Sequence, residues 1–375
     1  MQEPIRVLQV VTKMDRGGLE TWLMNVYRHL DREKVQLDFL CHRLEPGDYD
    51  DEIMALGGNI YRLSPLSFKN FFGYFKSLDT FFKEHRQYTI VHSQLSAMST
   101  PIVRAAFQNN VSVRISHSRT AGAKRDLKLP IRVFFKLFLK KYTTHAFACS
   151  KSGGIWLFGK RYMEKGRVKI WNNAINADCF SYDVARRSEL RKELGLGNQL
   201  VVGHVGRFAY PKNHNFLIDV FEKIAQKEPN AVLLLVGDGE LRQGIEEKCA
   251  QKGLTENVLF VGKTTDVASY LQVADVFLFP SHYEGLPNSV IEAQAAALPC
   301  ILSDTIDEGV KITNLVQMLS LNQSAESWAD VVLNTLKLGL ERKDMQEEIQ
   351  SQGYDVKILT KELQDFYTGF SKRGA

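Results

Sequence analysis

A chain of 375 residues, 44% hydrophobic and 24% charged, has the composition of an ordinary globular protein and is long enough for two domains, each with its own core. A formal net charge of +5 and a pI near 8.8 suit anionic ligands or a membrane surface and are too weak to imply nucleic acid. Five cysteines without C-x-x-C spacing (Cys41, Cys149, Cys179, Cys249, Cys300) argue for reduced thiols and against a structural zinc, and the chain reads as cytosolic. The opening "MQEPIRVLQVV" runs straight into an apolar strand, and no window approaches the roughly 18 apolar residues of a span. Neither a signal peptide nor a spanning helix is expected.

Short β-branched runs alternate with helix-length segments. "RVLQVV" (6–11), "VQLDFL" (35–40), "TIVHS" (89–93), "VRISHS" (113–118), "HAFACS" (145–150) and "RVKIWNN" (167–173) predict strands. A second series runs through "LVVGHVG" (200–206), "AVLLLVG" (231–237), "NVLFVG" (257–262), "VFLFPS" (276–281) and "CILSD" (300–304). Continuous apolar strands separated by helices mean parallel sheets covered on both faces. The expected architecture is α/β, two Rossmann-like open parallel-sheet domains facing across a cleft. Residues 1–180 form the first domain and 181–354 the second. The rest, 355–375, is an amphipathic helix that packs back on the first domain. Open α/β sheets bind ligands beyond the carboxyl ends of their strands.

Those strand ends carry the candidate chemistry. Gly17 and Gly18 follow the first strand at the entry of a helix, where bare amides can approach a phosphate. After "LVVGHVG" comes "GRFAYPKN", placing Arg207 and Lys212 on one loop, a guanidinium fork and an ammonium suited to a diphosphate. "VGDGE" puts Gly237 at another strand exit. In "SHYEGLPNSVIEAQAAALP" (281–299), Glu284 lies in a turn and Glu292 eight positions on in an Ala-rich helix, with Pro287 at its first position. Amides of Asn288 and Ser289 at this helix start favour an anion, and both carboxylates can face the same strand end.

Other chemistries fail on their residues. No G-x-G-x-x-G follows either opening strand, which counts against hydride transfer, and "GIWLFGKR" (154–161) has Arg161 where a phosphate-binding loop needs Ser or Thr. "DYD" (48–50) sits in a polar turn.

Taken together, "GG" after the first strand, "GRFAYPKN", "VGDG" and the E-x7-E of "EGLPNSVIE" resemble the retaining glycosyltransferases of the GT-B fold, family 4, over nearly the whole chain. The paired "VHSQ" and "ISHS" resemble the bacterial exopolysaccharide and capsule branch. The resemblance implies transfer of a hexosyl or N-acetylhexosaminyl group from a nucleotide-diphosphate donor, with UDP-sugar the family habit. The implied acceptor is a lipid-linked saccharide, and no metal or other cofactor is required. It places Glu292 on the ribose hydroxyls and Glu284 beside the donor sugar. Gly285, Leu286, Pro287, Asn288 and Ser289 would line the phosphate and sugar, Arg207 and Lys212 the diphosphate, with Gly17, Gly18 and Gly237 at the donor as well. His117 matches a histidine near sugar and acceptor. One departure is "CILSDTIDEGVKITN" (300–314), compact and poor in the glycines many relatives carry.

The stretch "KRDLKLPIRVFFKLFLKKY" (124–142) predicts a basic, strongly apolar helix, with Lys128, Arg132, Lys136 and Lys140 recurring every four residues. It reads either as a core-packed helix with a basic edge or as a helix lying on an anionic membrane. In the second case the protein sits peripherally on the inner face of the cell membrane. A homodimer is left open. Three alternatives stand beside the transferase: a nucleotide-sugar epimerase of the same double fold, a phosphorylase-like enzyme with a pyridoxal lysine, and a non-catalytic nucleotide-sugar binding module.

Overall fold

The computed structural model describes residues 3–119, 129–284 and 286–370. The chain divides into two compact units, one running to Ala174 and including the helix Val356–Thr368, the other spanning Ile175–Asp355.

In the first unit, β1 (Ile5–Val11), β2 (Val35–Cys41), β3 (Ile60–Arg62), β4 (Ile90–Ser93), β5 (Val113–Ser118), β6 (His145–Ala148) and β7 (Val168–Ile170) form a sheet in the order β3-β2-β1-β4-β5-β6-β7. Every pairing is parallel, Val7 lying opposite Leu37 on one side and Ile90 on the other. All seven residues of β2 are buried, as a strand covered by helices on both faces requires. Its one acid, Asp38, accepts from Arg6, from the Tyr88 hydroxyl at 2.8 Å and from the Asn59 amide at 2.6 Å, so the buried charge is fully bonded. The C-terminal helix buries Val356, Leu359, Leu363 and Tyr367 in the same core as Trp22 and Val26 of the helix Gly18–His29.

The second unit holds β8 (Val201–Val205), β9 (Val232–Val236), β10 (Val258–Gly262), β11 (Val276–Phe279), β12 (Cys300–Ser303) and β13 (Val316–Leu319), in the order β10-β9-β8-β11-β12-β13 and again all parallel. At its base, Arg187 and Arg191 pair with Asp275, while Arg342 donates to the carbonyls of Leu271, Gln272, Ala274 and Ala296. Guanidinium forks thereby satisfy carbonyls at strand and helix ends that would otherwise be buried without partners.

Strand order reverses direction between β1 and β4 in one sheet and between β8 and β11 in the other. At each reversal the following loops diverge to opposite faces and leave a crevice at the carboxyl edge. β3 and β13 were not expected from the sequence, and both are short edge strands. The segment 154–161 is helical on both sides of Gly159, in the helices Lys151–Phe158 and Lys160–Glu164, as its bulky residues require. No disulfide joins any of the five cysteines, all of which are described.

Candidate active site

At the β8/β11 switch point, loops that are far apart in sequence are bonded together. Asn213 takes a left-handed conformation (φ 54°) and donates from Nδ2 to the Pro280 carbonyl at 3.0 Å, while the His282 amide donates to the Pro211 carbonyl at 2.8 Å. The loop after β12 joins them, with Thr305 Oγ1 donating to the Ser281 carbonyl at 2.7 Å and Glu284 bridging to Ile306. This framework brings Lys212 Nζ to 2.8 Å from Glu284 Oε1, with the two side chains only 17% and 21% exposed. Lys212 also lies over the Phe279 ring, 4.5 Å from its centre. Glu292, in the helix Asn288–Ala295, has its acid pushed up to about 7 by burial, with Lys212 the cation acting in the opposite direction. The two acids of the E-x7-E motif therefore share one lysine. Arg207 is far more exposed and pairs with Glu240 at 2.9 Å.

Backbone packing explains two glycines here. Gly237 has φ +135°, and a Cβ at this position would lie 2.1 Å from the Gly206 carbonyl oxygen, so its close approach is to the neighbouring loop. A Cβ on Gly206 would meet the Lys212 stem at 3.2 Å. Pro287 stands at the N-cap, one residue earlier than expected, with Asn288 opening the helix and no side chain capping it. Pro287's extended ψ of 121° keeps it outside the helix while its carbonyl already accepts from the Val290 amide. Leu286 is buried and Ser289 half-buried beside this start, whereas Gly285 lies outside the described residues. Two buried histidines went unnoticed in the sequence because they read as strand and helix interior. His204 donates from Nδ1 to the Leu278 carbonyl, 2.9 Å away, and His214 stacks on Phe208 at 4.2 Å. Burial holds the His214 imidazole down at about 4, and the cation of Lys212 adds to this.

In the first unit, β1 leads into the helix Gly18–His29, whose N-cap Gly17 is extended and offers no capping side chain. Open space surrounds the position a Cβ on Gly18 would take, while one on Gly17 would meet Glu20 Oε2 at 2.5 Å. Glu20 was missed as a candidate. Its acid is raised to about 7, mainly by burial. His117, near the end of β5, is fully buried, as is His92 at the end of β4. His92 is bonded through both ring nitrogens, to Tyr367 Oη at 2.7 Å and to His117 Nδ1 at 3.0 Å, whereas His117 Nε2 has no partner among the described residues. Arg119 lies 3.9 Å over the Trp22 ring. No cluster of three or more His, Cys, Asp or Glu able to hold a metal occurs among the described residues.

Within 124–142, the helix is observed over Leu129–Tyr142, and Lys128 lies outside the described residues. Phe135 and Leu139 are buried, and the Phe135 carbonyl accepts from Thr100 Oγ1 at 2.8 Å. Lys136 and Lys140 lean on the rings of Trp156 and Tyr162, and Arg132 is half-buried. The outward face is therefore apolar where a basic stripe was expected, with Val133 47%, Phe134 53%, Leu137 71% and Phe138 43% exposed. The i, i+4 lysines turn toward the neighbouring helix because their stems and charges find aromatic rings there. No helix among the described residues is long and apolar enough to cross a membrane.

Residues 16–178 match the Glycosyltransferase Family 4 model and residues 186–352 the model of glycosyl transferases group 1. The chain is 36% identical to the putative glycosyltransferase EpsF of Bacillus subtilis, over 93% of each chain. It is 27% identical to the capsular polysaccharide biosynthesis glycosyltransferase CapH of Staphylococcus aureus, over 97% of this chain and 98% of CapH. Anabaena Alr3699/HepE, solved in complex with UDP and glucose, has the same fold at a TM-score of 0.79 and 16% identity, covering 96% of this chain and 99% of that one.

Proposed function

We propose, for a chain that belongs to the family 4 glycosyltransferases of GT-B fold, in the exopolysaccharide and capsule branch, that it moves a sugar from a UDP-sugar to a lipid-linked saccharide with retention of configuration. The observation that carries the reading is the convergence of Lys212, Glu284 and Glu292 at the β8/β11 switch point. The UDP bound by a structural neighbour supports the choice of donor.

In this reading Glu292 accepts from the ribose hydroxyls. Lys212 and Arg207 hold the diphosphate, aided by amides at the start of the helix Asn288–Ala295. Lys212 exchanges its Glu284 partner for phosphate as the donor binds, which frees the Glu284 carboxylate for the sugar hydroxyls. The bond from the anomeric carbon to the diphosphate oxygen then breaks, and the positive loop offsets the charge growing on the leaving group. The acceptor hydroxyl bonds to the anomeric carbon from the same face and gives its proton to the departing phosphate oxygen. Glu284 positions the sugar and stabilises the oxocarbenium-like carbon electrostatically. No step draws on a metal ion.

The apolar face of Val133, Phe134, Leu137 and Phe138, with Lys141 beside it, suits the interfacial zone of an anionic membrane at the cytoplasmic side, where a lipid-linked acceptor resides. Flotation with vesicles tests this, and replacing Leu137 and Phe138 together by Asp should abolish binding to anionic lipid. Equal binding of the wild type to neutral vesicles would remove the electrostatic part. The activity itself is tested by incubating the protein with radiolabelled UDP-, GDP- and ADP-sugars and a bacterial lipid extract. Label from one donor in the organic phase supports the reading, and conversion of free donor without transfer would make the protein an epimerase.

A further inference from the structure

Behind His117 runs a row of buried polar side chains whose hydrogen-bond direction is set by one group. A guanidinium has no acceptor, so in the 2.8 Å contact between Arg119 Nε and Gln94 Oε1 the arginine donates. That fixes the Gln94 amide, which donates from Nε2 to Gln9 Oε1 at 2.9 Å. Gln9 is fixed in turn and donates from Nε2 to Tyr367 Oη at 3.2 Å. The tyrosine, already an acceptor, has one neighbour left for its own proton, His92 Nδ1 at 2.7 Å. His92 therefore carries its proton on Nε2 and donates it to His117 Nδ1 at 3.0 Å. Reversing the row would set an amide NH2 against the arginine N–H at its head.

We infer that this row makes His117 an obligate hydrogen-bond donor at Nε2, aimed at an oxygen lone pair of the bound saccharide, and that Tyr367 on the C-terminal helix is the positioning residue that transmits the direction. The inference rests on the assignment of His117 to the reacting side of the first unit. Its Nε2 is buried and has no partner among the described residues, an unmet donor of the kind that a substrate oxygen satisfies. Burial, reinforced by Arg119, holds both imidazoles well below their ordinary range, so each keeps a single proton. A neutral Nε2–H cannot take a proton from the acceptor hydroxyl. His117 thus orients a sugar or acceptor oxygen and leaves proton removal to the departing phosphate. Tyr367 adds a second constraint, because the helix that completes the first unit's core also sets the tautomer of a histidine 250 positions earlier in the chain.

The test is a long-range proton–nitrogen NMR correlation on the full-length protein with 15N-labelled histidine, the His117 signals being assigned by their loss in His117→Gln. Wild-type His92 and His117 should both be Nε2–H tautomers at pH 7, and Tyr367→Phe should turn His117 into a tautomer mixture. Turnover should fall about tenfold in His117→Ala, the value of one lost hydrogen bond. It should recover to within about threefold of wild type in His117→Gln, whose amide can donate from nearly the same place. An Nδ1–H or doubly protonated His117 in the wild type would overturn the inference, even if Tyr367→Phe failed to fold. Unchanged tautomers in a folded Tyr367→Phe would overturn the part given to Tyr367. Full activity of His117→Ala alongside the expected tautomers would instead remove the assignment of His117 to the substrate.

Discussion

At the switch point of the first sheet the side chains of Gln94, Gln9, Tyr367, His92 and His117 are neutral, buried and bonded in one row behind Arg119, whereas at that of the second the groups are charged and partly open to water, with Lys212 and Glu284 sharing a 2.8 Å ion pair. Neutral hydrogen bonds in a dry interior hold one geometry, because breaking any of them strands a buried donor. An ion pair that reaches solvent can exchange its partners at small cost. The contrast fits the proposed function, in which the charged edge must accept, and then release, a multiply charged diphosphate.

The largest expected effect comes from breaking the charged edge. Lys212→Ala and Glu284→Ala should each lower kcat by at least ~100-fold, with far-UV circular dichroism unchanged. Near-wild-type turnover in either would remove the proposed mechanism. Glu292→Gln sharpens the comparison through pH. In the wild type, calorimetric UDP affinity should rise as pH increases through 7 and the carboxylate ionises, while the glutamine variant should bind about tenfold more weakly at pH 8. The variant's affinity should also lose that pH dependence. Stability carries the same signature with the opposite sign. A carboxyl whose folded-state value is raised to about 7 stabilises fully below the ordinary carboxylate range and loses that contribution as pH rises toward 7. The unfolding free energy from denaturant titration should therefore fall over that window in the wild type relative to Glu292→Gln, by no more than about 3 kcal/mol. Arg207→Ala should be the mildest change. Its exposed pair with Glu240 contributes little to stability, and a roughly threefold rise in KM that vanishes at high salt is expected.

The two edges were also unequally legible in the sequence. In the charged one Glu284, Glu292, Arg207 and Lys212 were all singled out, because they lie on the loops and the helix that follow apolar strands, where open α/β sheets place ligands. That Lys212 pairs with Glu284 was not legible, since it depends on Asn213 and His282 tying two loops together across 72 positions. Of the neutral edge only His117 was singled out. Gln9, Gln94 and Tyr367 look like ordinary strand and helix residues, and only the register of β1 beside β4 with the C-terminal helix laid against them makes one row. β3 and β13 escaped for a simpler reason. An edge strand is half-exposed and lacks the continuous apolar run that marks a covered parallel strand.

Sugar transfer from a nucleotide diphosphate with retention is tested most directly by the anomeric configuration of the product. The lipid-extracted product of an α-linked UDP-sugar should show, by proton NMR, an α-glycosidic bond made on a new hydroxyl, absent when Glu284→Ala replaces the wild type. A β-linked product would contradict the proposed same-face attack, and an isomerised free UDP-sugar with no glycosidic product would contradict transfer itself.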